Sequence, residues 1–284
     1  MTHLLTLAGF LLASPIAADD STAITQDYVQ ESQPPSARHF VASAYSSLGY
    51  YSTDTRSRSA SGYLTMSNGW KDYYTLGFAP LWLVRDDLGG KYYSQELVTA
   101  RGSWLIDYRV NLTAFYGYLH EGAIANYSSA AVFHFAGGTG SYWFSPTENA
   151  GAGVLLSASA KKIQSEAVRG FFSLHIADGV WATSTATFSK AKWTPSLFVF
   201  RQSVSVPLGG DNYIMASVDF GRRAFYFDDD LLLVYNQREV QVGHYLVNGT
   251  IRLFGEFYAI PSFEYNKFDG YNVAYGSIGF RIVY

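Results

Sequence analysis

From Arg38 onward the chain is built of short runs in which apolar and polar residues alternate, separated by residues that favour turns. The stretch YNVAYGSIGFRIVY, Tyr271 to Tyr284, shows this most cleanly. Every second residue back from Tyr284 (Ile282, Phe280, Ile278, Gly276, Ala274) is apolar or small. The intervening set, Val283, Arg281, Gly279, Ser277 and Tyr275, is mixed and carries a charge. A period of two is the mark of a strand with unlike faces.

The turn chemistry divides the chain. Asn68-Gly69, Asp178-Gly179, Asn248-Gly249 and Asp269-Gly270 supply the positive φ that two-residue hairpins need. Gly89-Gly90, Gly137-Gly138 and Gly209-Gly210 mark further breaks. The segments between them are 38–51, 58–67, 70–84, 91–104, 108–120, 124–136, 151–161, 166–177, 180–190, 194–207, 212–224, 230–247, 250–267 and 271–284, which predicts fourteen strands, with twelve as the fallback. Residues 139–146 are a candidate extra strand. If Asn248-Gly249 and Asp269-Gly270 are both two-residue turns, Leu246 faces Ile251, Phe257 faces Ile282, Ala259 faces Phe280 and Pro261 faces Ile278. That register puts Val240, Val242, Leu246, Ile251, Leu253, Phe257, Phe280, Ile282 and Tyr284 on an oily face. Glu239, Gln241, Tyr245, Arg252, Glu256, Tyr258 and Arg281 fall on a polar one, and His244 is the exception on the oily side.

Strands with one oily face must bury it. An exposed terminal strand ending on an aromatic residue invites edge pairing, which closure into a barrel removes. Composition then chooses the solvent. Charged residues are 15% of the chain, against roughly 25% in ordinary soluble domains. Aromatics reach 17%, mean hydropathy is +0.00, and no apolar run after the N-terminus approaches the roughly 20 residues of a spanning helix. Half-oily, half-polar strands with many aromatics suit a transmembrane antiparallel up-and-down β-barrel, the rival being a soluble all-β sandwich. There is no cysteine, which excludes disulfides and thiolate metal sites, and the formal net charge of −3 argues against a nucleic-acid partner. Residues 1–18 read as a secretory signal peptide ending in small residues, without the usual basic n-region. Residues 19–37, polar and containing Pro34-Pro35, read as a flexible periplasmic segment, leaving 38–284 as the barrel.

Ser277, Gly279, Ile282 and Tyr284 resemble the C-terminal β-signal of bacterial outer-membrane barrels: a polar residue, a glycine two on, a hydrophobic residue three further, and a terminal aromatic. Serine is a modest choice for the first position, and Tyr stands where Phe is commoner. The resemblance is to the class and implies an outer-membrane location, insertion by the barrel-assembly machinery, and outer-membrane lipid as surroundings.

The same parity argument places Arg109, Arg169, Arg201, Arg223, Arg252 and Arg281 inward, with Asp107, Asp219, Glu239 and Glu256 as the inward acids and Tyr258 beside them. An inward excess of arginine predicts a water-filled lumen that favours small polar or anionic solutes, needing no cofactor. The rival is a closed barrel, its arginines paired with acids and tyrosines (Glu256 diagonal to Arg281), acting as a structural, adhesive or assembly protein. A barrel hydrolase is a third reading. Ser173 and His175 share a face, but they lack the third group that would orient the imidazole, so no catalytic role is assigned. Asp228-Asp229-Asp230 reads as a solvated loop, and Gly137 to Gly140 lacks the helix of a phosphate cradle.

Overall fold

The structure is a computed structural model and describes residues 39–68, 72–85, 90–106, 109–123, 131–160, 162–224, 226–228, 233–235 and 239–284. The segments 1–18 and 19–37 lie outside them. Fourteen antiparallel strands close on themselves. They are β1 (His39–Tyr51), β2 (Arg56–Asn68), β3 (Asp72–Arg85), β4 (Gly90–Ile106), β5 (Val110–Ala123), β6 (Ala131–Ser145), β7 (Glu148–Ser159), β8 (Lys162–Ala177), β9 (Val180–Ala191), β10 (Ser196–Gly209), β11 (Asn212–Arg223), β14 (Gln241–Phe254), β15 (Phe257–Phe268) and β16 (Asn272–Val283). The short β12 (Tyr226–Asp228) and β13 (Leu233–Tyr235) form a separate two-stranded sheet between β11 and β14, where the sequence suggested a strand from 230. Closure pairs β1 with β16 from Val41↔Val283 to Tyr51↔Val273. Phe40 and Tyr284 add two backbone bonds, N–H to O distances of 3.2 and 2.8 Å.

Connections at one end span two or three residues each, and those at the other range from two residues after β7 to the longest in the barrel. At the rim that holds Phe40 and Tyr284, here the terminal rim, the turns after β6, β8, β10 and β14 span two residues each. The longest connection, 224–240, lies at the far rim. Short turns at one end and longer loops at the other are the rule for outer-membrane barrels.

The alternation sorts side chains between the two surfaces. Leu76, Phe78, Val154, Val168, Ile176, Phe188, Phe220 and Phe263 all point outward and are exposed. In water such a band would aggregate; in a bilayer it is the favourable face. Aromatic groups collect at the terminal rim, where Phe257 stacks on Phe254 and Phe280 at 5.1 and 5.7 Å and Trp104 Nε1 donates to Tyr74 Oη at 3.1 Å. Of these rings Trp104 and Tyr74 are amphipathic, the kind enriched at membrane–water interfaces.

On the inner wall, rings lie against glycines of the next strand. Tyr45 faces Gly279, Tyr275 faces Gly49, Tyr63 faces Gly77, Phe115 faces Gly137 and Phe171 faces Gly151, each pair directly opposite in the ladder. A Cβ on Gly77 or Gly137 would sit 2.5 Å from a ring carbon, so only glycine admits the ring. The ring covers the glycine's exposed backbone, and the glycine lets the ring lie flat.

The structure corrects the sequence reading at two places. Asn248-Gly249 is not a turn: β14 runs straight through it, pairing Met215↔Asn248 and Ile214↔Gly249 on one side and Asn248↔Ser262 on the other. A turn there would forfeit ladder bonds to both neighbours, and this cost outweighs local turn preference. The chain turns instead at Gly255-Glu256, with Gly255 at φ 49°. Residues 244–247 therefore swap faces, Leu246 and His244 pointing inward and Tyr245 and Val247 outward, while the bulge at Gln241/Gly243 keeps Gln241 on the inner face. Gly137-Gly138 is likewise no break, and 139–146 continues β6, so the candidate extra strand disappears. Asp178-Gly179, Gly209-Gly210 and Asp269-Gly270 do mark turns. Gly69 lies outside the described residues, as does Gly89.

Candidate functional site

The candidate site is the inner wall. Its hydroxyls pair across neighbouring strands: Ser47 with Ser59 at 2.5 Å, Thr65 with Thr75 at 3.0 Å, Ser103 with Thr113 at 3.0 Å, Ser157 with Ser165 at 2.6 Å and Ser173 with Thr183 at 2.9 Å. Each couple occupies opposed positions in the ladder, so one residue type placed at matching heights satisfies the other. Toward the far rim the wall of β3 to β6 carries an apolar tract, bordered by the inward Gln95 and Glu121, which face each other across β4 and β5. Ala79 faces Leu97, Leu97 faces Leu119, and Leu119 faces Phe133 across successive strands. Leu81, Leu83 and Phe135 adjoin this tract and are fully buried.

The opposite wall carries charge. Arg201, Asp219, His244 and Asn266 form one continuous row of ladder partners across β10, β11, β14 and β15. Arg201 grips Asp219 with two hydrogen bonds, Nε to Oδ1 at 2.8 Å and Nη2 to Oδ2 at 3.2 Å. Arg223 Nη1 and His244 Nδ1 reach the same Oδ2 at 3.0 and 3.1 Å. On its other side His244 Nε2 lies 3.2 Å from Glu264 Oε1, near enough for a charge contact. Arg223 Nε donates to Gln241, Gln241 donates to Asn266, and Asn266 Nδ2 donates to Glu264 Oε1 at 2.6 Å, which completes the circuit. Removing one partner from such a cluster strands the others without solvent. The register of β14 builds it: bulges at Phe220/Arg223 and Gln241/Gly243 bring Arg223, Gln241 and His244 to the inner face together.

The remaining expected residues divide between wall and rim. Arg169 donates to Thr139 Oγ1 at 3.0 Å with its guanidinium 6.0 Å from the Phe171 ring. Arg281 lies 4.5 Å over the ring of Tyr258, whose hydroxyl donates to Glu256 Oε2 at 3.3 Å. Arg252 and Glu256 stand at the terminal rim, half-exposed: Arg252 pairs with Glu256 at 2.9 Å and with Asp211 at 2.5 Å. The diagonal Glu256–Arg281 partnership weighed from the sequence gives way to these contacts. Arg109 occupies the turn before β5 and reaches the outward Tyr142 hydroxyl at 3.3 Å, so it belongs to the rim. Ser277 and Gly279 face inward, Gly279 under the Tyr45 ring, while Ile282 packs outward opposite Phe257 and Tyr284 bonds to Phe40.

Ser173 hydrogen-bonds Thr183, and His175 Nε2 accepts the Gly179 backbone N–H at 3.0 Å with its ring 5.0 Å from Trp181. Among the described residues no group of acids and histidines has metal-binding spacing. Glu264 and Asn266 were missed in the sequence reading, although they share the parity of Tyr258 and extending that register would have found them. His244 was hidden by the misplaced turn.

No protein-family model matches the chain, and no curated protein matches it in sequence. Its shape does have relatives among solved structures. The CymD monoaromatic hydrocarbon channel has a TM-score of 0.59 at 9% identity, covering 99% of this chain and 95% of that one. The toluene transporter TbuX of Ralstonia pickettii has a TM-score of 0.54 at 8% identity, covering 87% and 89%. The outer membrane protein Omp33 of Acinetobacter baumannii has a TM-score of 0.50 at 9% identity, covering 88% and 100%. The fold is that of bacterial outer-membrane β-barrel proteins.

Proposed function

We propose that the protein is an outer-membrane channel for passive entry of small amphipathic solutes with an anionic group. The observation that carries this reading is the division of the inner wall, with an apolar tract on β3 to β6 facing the Arg201, Asp219 and His244 row of β10, β11 and β14. Among the described inward residues Arg101, Arg169, Arg201, Arg223 and Arg281 outnumber Glu121, Asp219, Glu239 and Glu264 by one. Guanidinium stays charged at all physiological pH, so the resulting field favours anions without depending on titration. The apolar tract is packed, with Ala79, Leu97 and Leu119 at most 2% exposed, so on this reading the solute's apolar body enters as that packing opens. The solved relatives named as hydrocarbon channels are consistent with an interior that accepts apolar matter. The far rim would then face the exterior and the terminal rim the periplasm.

A second reading, a closed barrel with a structural role, is favoured by one observation: Tyr275, Phe135, Leu81, Leu97 and Leu119 are fully buried. Planar-bilayer recording of the refolded protein separates the two. The channel reading expects conductance steps and faster entry of an aromatic carboxylate than of an aromatic amine into proteoliposomes. Cation preference would overturn the solute class, and absence of conductance would transfer the function to the closed barrel.

A further inference from the structure

Arg56 and Arg58 lie outside both the lumen and the barrel's seam. They stand two residues apart on the outward face of β2, both exposed, close to the far rim. Residues so spaced on one strand face are about 6.6 Å apart, a span that one phosphate group between two guanidiniums can bridge. Neither arginine has an ion-pair or hydrogen-bond partner among the described residues, and Asp54 in the preceding turn pairs with neither. Three other outward charges near this rim have a neighbour of opposite charge or a histidine beside them, whereas Lys267 on β15 has no ion pair among the described residues. Glu166 faces Lys190 in the ladder, Glu96 lies 3.9 Å from His120, and Arg222 holds Asp269 at 2.5 Å.

The surface beneath the pair is shaped as well as charged. Below Arg58 on the outward face come Ala60 and Gly62, and beside them on β1 come Ser46 and Ala44, all exposed. A Cβ on Gly62 would meet nothing nearer than 3.9 Å. Leu48 and Phe78 rise on either side, so a shallow trough runs from the guanidiniums toward the middle of the apolar band. Tyr50 and Trp82 flank the arginines as ladder partners of Arg56 and Arg58.

We propose that this face of β1 and β2 is a binding site for a phosphorylated membrane lipid of the leaflet at the far rim. The two guanidiniums take the phosphate through charge-assisted, bidentate hydrogen bonds, and an acyl chain lies along Ala60 and Gly62. The lipid thereby supplies the counter-charge that the protein withholds. The proposal rests on the membrane location of the fold and not on any solute passing through the lumen.

The test is native mass spectrometry of the folded protein released from micelles containing equal amounts of phosphatidic acid and phosphatidylcholine. The parent is expected to retain phosphatidic acid in preference. Arg56→Gln/Arg58→Gln should lower that retention by roughly tenfold, the effect of losing one charged hydrogen bond or more. Arg56→Lys/Arg58→Lys should fall between, because lysine keeps the charge and loses the fork. Lys190→Gln, an outward cation on the other side of the barrel, should behave as the parent. Gly62→Phe fills the trough while leaving the arginines, and should also lose the lipid. Unchanged retention in both the glutamine pair and Gly62→Phe, or equal retention of the two lipids by the parent, would overturn the proposal.

Discussion

Adding one methyl at Gly279 should open the barrel at its seam. Gly279 on β16 faces Tyr45 on β1, and the tyrosine ring lies where a side chain would otherwise stand. A Cβ there would be inside the van der Waals envelope of the ring, with Tyr45 Cγ at 3.0 Å and two further ring carbons closer still. Tyr45 is only 5% exposed, so the ring has no free volume to retreat into along the wall. Overpacking of this kind costs about 1–3 kcal/mol. Swinging the ring away also loses its edge contact with Tyr63, at 6.2 Å and 72°, worth about 0.5–1.5 kcal/mol. Gly279→Ala should therefore destabilise by about 2–4 kcal/mol in reversible urea unfolding in lipid vesicles. Gly276→Ala is the control: it is on the same strand, faces outward, and its Cβ would meet nothing within 4 Å. That change should stay within about 0.5 kcal/mol of the parent. In Tyr45→Ala/Gly279→Ala the methyl has room, so the double variant should recover about 1–3 kcal/mol relative to the sum of the singles. Equal losses at 276 and 279, or an additive cycle, would refute the ring-on-glycine account of the seam.

Asp219→Asn should lower stability by about 3–5 kcal/mol, read as the urea midpoint, because Arg201, Arg223 and His244 all converge on that carboxylate; a loss under 1 kcal/mol would show the cluster to be solvated. Deleting Ile282 to Tyr284 removes the last backbone bonds to Phe40 and should abolish the heat-modifiable folded species in outer-membrane fractions, whereas normal yield would detach these residues from assembly. Val154→Arg, outward and 58% exposed, should cost about 2–4 kcal/mol in membranes, while an inward Ser203→Arg should be tolerated far better; the reverse order would invert the two faces.

How much of this was legible beforehand depends on where local rules and the ladder agree. For β15 and β16 they agree, and the register is recovered residue by residue, Phe257 opposite Ile282 and Pro261 opposite Ile278. At Asn248-Gly249 they conflict. The dipeptide favours a turn, but β11 and β15 continue past that level and hold the strand extended, which hid His244 and reversed Tyr245 and Leu246. Arg201 and Asp219 were both legible as inward. That they touch follows only from the β10–β11 register, which carries an irregularity at Pro207/Gly209 that parity counting does not see. The same limit applies to the outer arginines at 56 and 58. Their parity is plain in the sequence, yet their lack of acidic partners becomes visible only when neighbouring strands are in place.

The most direct test of the central claim, a membrane-spanning barrel whose strands alternate between lipid and lumen, uses the absence of cysteine from the chain. Single cysteines at each position from 244 to 253, spin-labelled in bilayers, report contact with lipid-soluble oxygen or a water-soluble quencher. The account predicts unbroken alternation: 244, 246, 248, 250 and 252 shielded from lipid, and 245, 247, 249, 251 and 253 open to it. A phase reversal at 248–249, a helical period, or uniform water exposure would contradict it.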